Sequence, residues 1–261
     1  MTVIGERGPA VVLLPGGAAG ADGFFPGMPE ALVEDPGCRV VLHDRPGTGA
    51  STDPGGLAGA SAHLHRLVAD LDLGPVVAVG QSLGGAVATL WARDHPEDLS
   101  GLVLLDATPV NDPALAAYIE LQSRVLGALT RVPGLGGRLE AGFVALARRQ
   151  ASTAADPALA AAMEQAVDGG LVKLGRATVG LGALARELRE EDLPRLPAAV
   201  VTADRPERSR IRRAHQRLAT AFGAELISWP GATHGVHLDH ADEVLGVVRG
   251  VVRRAAGQPG T

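Results

Sequence analysis

The chain has 261 residues, enough for one large core or for one main domain with an insertion. Its 46% hydrophobic and 20% charged residues describe a globular protein, and a net charge of −5 gives no reason to invoke nucleic acid or an anionic membrane as a partner. The lone cysteine, Cys38, excludes an internal disulfide and a cysteine-based metal site, while Lys173 is the only lysine, so the many arginines read as coding bias rather than as a functional signal.

Met1 to Arg7 lack a basic region followed by an apolar run, and no apolar stretch reaches transmembrane length, so a cytoplasmic protein is expected. The first apolar run, 10–14, reads as a buried strand that ends in Pro15-Gly16-Gly17. A helical pattern over 28–34 leads to a second strand, 40–43, followed by Asp44-Arg45-Pro46-Gly47-Thr48-Gly49-Ala50-Ser51. A helix over 57–71 and a strand over 76–79 then lead into Gly80-Gln81-Ser82-Leu83-Gly84, and a helix over 83–94 follows. The strand 102–105 closes on Asp106. Helical candidates at 113–129, 137–150, 157–167 and 180–190 come next, with no sheet strand among them. Strands at 198–202 and 226–229 flank a helix at 209–222, and a last helix starts around Asp239 with Val244, Val248, Val251 and Val252 on its apolar face. Strands alternating with helices predict βαβ units and a mostly parallel sheet covered on both faces.

A G-x-S-x-G sequence between a strand and a helix is a nucleophile elbow: a tight turn that lifts the serine hydroxyl off the sheet end. Ser82 is therefore the candidate nucleophile, and the Leu83 amide that follows it faces any anion forming there. A serine needs a base, and in this context the base comes late in the chain. His234 lies on a short loop after the last strand, whereas His237 and His240 read as helix-entry polar residues and His63 and His65 as surface helix positions.

These motifs together resemble the α/β-hydrolase superfamily. Val11 to Gly17 is similar to its strand ending in His-Gly-x, with Pro15 in place of the usual His; Asp44 to Ser51 resembles its D-x-x-G-x-G-x-S turn. Gly80 to Gly84 matches the elbow, and Gly231-Ala232-Thr233-His234 is similar to the segment that carries the histidine. The resemblance implies an oxyanion hole from the Gly17 and Leu83 amides, a core at 1–107 and 196–261, and a helical cap or lid at 108–195, in which Gly127, Gly134, Gly136, Gly137, Gly169 and Gly170 are candidate hinges. The family usually takes its acid from the loop after the penultimate strand. Here Pro206 occupies that place and Asp204 lies two residues early, so Asp106 is the preferred acid, Asp204 the alternative and Glu207 a third choice.

The implied activity is hydrolysis of a small-molecule ester through an acyl-enzyme, with no cofactor, since metal-ligand, dinucleotide and phosphate-loop motifs are lacking. The same residues would serve an acyltransferase, a C–C hydrolase or a perhydrolase, and a noncatalytic small-molecule binding or receptor module is the reading from a different class. Substrate identity and oligomeric state are not written in these motifs.

Overall fold

The computed structural model describes residues 1–139, 141, 142, 145 and 170–257. Seven strands form one sheet: β1 (Thr2–Ile4), β2 (Ala10–Leu14), β3 (Arg39–Leu42), β4 (Val76–Gln81), β5 (Leu99–Leu105), β6 (Ala198–Val201) and β7 (Leu226–Ile227). Their spatial order is β1-β3-β2-β4-β5-β6-β7, and every pair is parallel except the short β1 against β3. The order reverses around β2 and β4, and in parallel sheets such a reversal opens a crevice at the carboxyl ends of the strands.

Both faces of the sheet are covered, which is why its central strands are apolar throughout rather than alternating. Val12, Leu14, Val76 and Ala78 face one cluster with Leu64, Val68, Val87, Trp91, Leu218 and Phe222. Those residues come from α2 (Ala60–Asp70), α3 (Leu83–Asp94) and a helix at Arg210–Phe222. The intervening residues Val11, Leu13, Val77 and Val79 face the other cluster, with Leu32 of α1 (Met28–Glu34) and Val244, Val248 and Val251 of the C-terminal helix Ala241–Ala255.

Between β5 and β6 the described residues include α4 (Pro113–Leu129), α5 (Gly170–Ala177) and α6 (Leu181–Glu187), so the later helices are α7 (Arg210–Phe222), α8 (Val236–Asp239) and α9 (Ala241–Ala255). Asp112 caps α4 through the Leu115 amide and takes both ends of the Arg210 guanidinium, which fastens α4 to α7. The candidate helices at 137–150 and 157–167 fall mostly outside the described residues.

The structure departs from the sequence reading in three places. Helix α5 was not expected, because Gly170 at its start and Gly175 within it break its pattern. Gly127 is not a hinge but an inner position of α4: a side chain there would meet the Leu171 carbonyl at 3.0 Å, so it lets α4 and α5 approach closely. Strand β7 stops at Ile227, two residues short, because its partner β6 ends at Val201 and the last ladder bond, Thr202 N–H to Ile227 O, lies at 2.9 Å.

Candidate active site

The site is assembled at the carboxyl ends of β4, β5 and β6. Ser82 follows β4 directly with φ 51° and ψ −118°, a backbone region that side chains avoid. The turn is held from all sides. The Ser82 amide donates to Leu105 O at 3.0 Å, and its carbonyl accepts from Gly85, Ala86 and Thr108 at 3.0, 3.2 and 2.8 Å. Gly80 is obligatory here, since a Cβ on it would stand 2.5 Å from the Gly84 carbonyl.

His234 bridges the site. Its Nε2 lies 2.9 Å from Ser82 Oγ, and its Nδ1 lies 2.6 Å from Asp106 Oδ2. The Asp106 carboxylate can only accept, so Nδ1 carries the proton and Nε2 is left as the acceptor for the serine hydroxyl. The loop under the ring is also fixed. Gln81 Nε2 donates to His234 O at 2.8 Å, and Asp239 Oδ2 accepts from the Thr233 amide and hydroxyl at 2.7 and 2.5 Å.

Asp106 is 2% exposed and has φ 41°, a second strained carboxyl-end position beside Ser82. Besides His234 it accepts from the Ala203 amide at 2.9 Å and from Arg205, whose Nη2 lies 2.7 Å from Oδ2 and whose Nη1 contacts Oδ1. Burial pushes this carboxyl up, but the hydrogen bonds from His234 and Arg205 outweigh it and hold the group well below the ordinary carboxylate range. His215, fully buried, donates from Nε2 to Ala107 O at 2.7 Å and accepts at Nδ1 from Thr202 Oγ1 at 2.9 Å. Burial lowers its pKa, so it is a neutral brace beneath the Asp106 turn.

The alternative acid is turned elsewhere. Asp204 Oδ2 accepts from the Gly231 amide at 2.9 Å, which pins the loop that carries His234 without touching its ring. Glu207 is exposed at the surface. Gly17 has φ 53°, and its neighbour Gly16 sits so close to the elbow that a Cβ there would lie 3.0 Å from the Ser82 Cβ. Leu83 is the first residue of α3, where an amide has no intrahelical acceptor. Leu174 of α5 reaches over this corner, its Cδ1 standing 3.4 Å from where a Gly17 Cβ would be.

Several residues of the site were not anticipated. Gln81 is hidden in the variable position of the elbow motif. Arg205, the ion-pair partner of Asp106, was not singled out among the arginines: it stands between Asp204 and Pro206, in the loop where the acid was first sought. His237 stands at the entry of α8, as expected, but its ring is buried: it is 4% exposed and stacked on Phe24 at 4.8 Å, and burial pushes its pKa down to about 3. His65, His95 and Glu97 come together without a signal in their spacing. The two rings are stacked at 4.0 Å and 11°, which sets any ion between them out of both ring planes, and His65 Nδ1 is engaged by Asp98 at 3.0 Å.

Arg205 yields a stability prediction. A carboxyl depressed in the native state binds fewer protons than in the unfolded chain, so its stabilisation is complete above about pH 4 and is lost as pH falls toward the native pKa. Arg205→Gln raises that native pKa. It is expected to cost about 1–3 kcal/mol at neutral pH and to move acid unfolding to higher pH, as read by urea melts across a pH series.

Residues 11–247 match the Alpha/beta hydrolase family, and the chain belongs to it. Among curated proteins it is 35% identical over 104 residues to the sn-1-specific diacylglycerol lipase ABHD11 of Mus musculus, covering 39% of this chain and 34% of that protein. It is 34% identical over 139 residues to 2-hydroxy-6-oxononadienedioate/2-hydroxy-6-oxononatrienedioate hydrolase of Cupriavidus pinatubonensis, covering 50% and 47%. The chain spans about half the length, or less, of the curated relatives it matches. The structure of MenH from S. aureus superposes with a TM-score of 0.75 over 98% of both chains at 17% identity, a likeness of fold. No helix among the described residues is long and apolar enough to cross a membrane.

Proposed function

We propose that this member of the alpha/beta hydrolase family is a serine hydrolase that cleaves small-molecule esters through an acyl-enzyme. The observation that carries the reading is the bridging imidazole of His234, 2.9 Å from Ser82 Oγ on one side and 2.6 Å from Asp106 on the other. His234 Nε2 takes the serine proton as Ser82 attacks the carbonyl carbon, and Asp106 holds the ring and offsets the charge it gains. The Gly17 and Leu83 amides receive the oxyanion, each worth about 3–4 kcal/mol where such donors have been removed. The imidazolium then protonates the leaving group, and water attacks the acyl-enzyme by the same route in reverse. Residues 108–195 act as a cap over this corner, a role supported by Leu174 of α5 standing above Gly17.

An ester is the substrate that needs least help in expelling its leaving group, and one relative is named a diacylglycerol lipase. Labelling by a fluorophosphonate probe, followed by a panel of esters of graded acyl length, tests the proposal. Labelling confined to Ser82 with turnover of at least one ester supports it, whereas absence of labelling favours the noncatalytic binding module. Labelling with turnover of a vinylogous 1,5-diketone but of no ester points instead to C–C hydrolysis.

The mechanism also fixes how the rate responds to solution conditions. Since Ser82 and His234 supply both nucleophile and proton transfer, prolonged dialysis against a chelator is expected to leave the rate unchanged. A rate lost to chelator and restored by a divalent ion contradicts the proposal.

A further inference from the structure

The loop after β3, the start of α2 and helix α5 enclose a cavity of ≈ 490 Å³ that neither Ser82 nor His234 lines. Its wall is strongly cationic in a chain of net charge −5: Arg45, Arg66, Lys173 and Arg176 face it, with Asp53 as the one carboxylate among the lining residues. The rest of the lining is the imidazole of His63, Leu57, and glycine, proline, small hydroxyl and alanine residues.

Arg45 is the telling member. It is 4% exposed, and among the described residues its Nη2 reaches only neutral carbonyls, Pro15 O at 3.3 Å and Gly17 O at 3.5 Å. Its Nε is buried without a hydrogen-bond partner among the described residues. The adjacent Asp44 does not answer it, because that carboxylate accepts from the Ala21 amide at 2.7 Å and the Ala50 amide at 2.8 Å. Burial pushes the guanidinium down to about 10, against the pull of Asp44. A guanidinium removed from water is costly unless an anion meets it with directed hydrogen bonds. Here its cavity is flanked by three further cations exposed at the rim, Arg66, Arg176 and Lys173, whose Nζ donates to Gly49 O at 3.2 Å.

We propose that this cavity binds a small organic oxyanion, a phosphate monoester or carboxylate with a compact apolar body, at a site separate from Ser82. The volume lies within the range of small-ligand pockets. Guanidinium groups offer planar paired donors that suit either oxyanion, and Lys173 adds a point charge. The apolar body would rest on the lining contributed by the loop and by α2.

The test uses the full chain carrying Ser82→Ala, so that turnover and covalent attachment cannot contribute. Phenyl phosphate, benzoate and benzyl alcohol are titrated by calorimetry and followed by thermal shift at fixed ionic strength. Phenyl phosphate is expected to bind saturably at one site and to raise Tm by about 5 °C near 100-fold its Kd. Benzyl alcohol is expected to do neither, and the rank of benzoate against phenyl phosphate tells a carboxylate site from a phosphate site. Adding Arg66→Gln and Lys173→Gln, both at exposed positions, is expected to weaken binding by about tenfold or more. The same pair of changes in the Ser82 enzyme is expected to leave fluorophosphonate labelling unchanged. Lack of saturable binding, binding undiminished by the two changes, or equal stabilisation by chloride at matched ionic strength overturns the proposal.

Discussion

Ser82→Ala is expected to lower ester turnover by about 10⁴–10⁶-fold and to abolish fluorophosphonate labelling. The change removes one oxygen at the mouth of the site. That oxygen is bonded to His234 Nε2 and to no other protein group among the described residues, whereas the turn itself is held by main-chain bonds from Leu105, Gly85, Ala86 and Thr108. Alanine meets the same backbone strain at φ 51° as serine does, so the folded state loses little, within about 1 kcal/mol. The informative measurement is kcat together with Tm on the same preparation. Activity lost at an unchanged Tm fits a nucleophile. Most of the activity retained means that the hydroxyl is not the attacking group.

Asp106→Asn is expected to cost on the order of 10⁴-fold in kcat, while Asp204→Asn keeps most of the activity. An amide at position 106 can present its NH₂ to Nδ1, which drives the ring proton to Nε2 and leaves no acceptor for Ser82. It also leaves Arg205, which now clasps both carboxylate oxygens, facing a neutral group. Asp106→Asn therefore carries a stability loss as well as a kinetic one, and kcat has to be read on enzyme shown to be folded by circular dichroism. Asparagine at 204 retains an oxygen for the Gly231 amide, the one hydrogen bond the Asp204 side chain makes among the described residues. If Asp204→Asn proves the more damaging change, the assignment of the acid is wrong although the Ser82–His234 pair stands.

The parts of this protein that depend on local chemistry were legible in the sequence. Strand β2 and the stretches 76–79 of β4 and 102–105 of β5 are continuous apolar runs because both faces of a parallel sheet are covered. The elbow was legible because a turn as tight as that at Gly80 admits only glycine at fixed offsets from the serine. Helix α4 was legible because Asp112-Pro113 is both a cap and a first-turn signal, and its observed span, Pro113–Leu129, begins there.

What the sequence withheld are partnerships between distant residues and elements shaped by packing. Helix α5 carries too many glycines to look helical, and it exists because Gly127 and Gly175 let two helices touch. His237 is polar in sequence and core in the structure, because Phe24 and Phe25 arrive from the other end of the chain. The grip of Arg205 on Asp106 spans 99 residues, and that of Gln81 on His234 spans 153. Sequence spacing carries no information about such pairs, since only the order of strands in the sheet decides which loops meet. The sequence by itself thus determined the sheet, the elbow and the identity of the candidate nucleophile and base, each of which follows from backbone geometry within a few residues. The tertiary structure alone decided which carboxylate faces His234, what holds that carboxylate in its buried place, and that a buried arginine stands at a cavity beside the site.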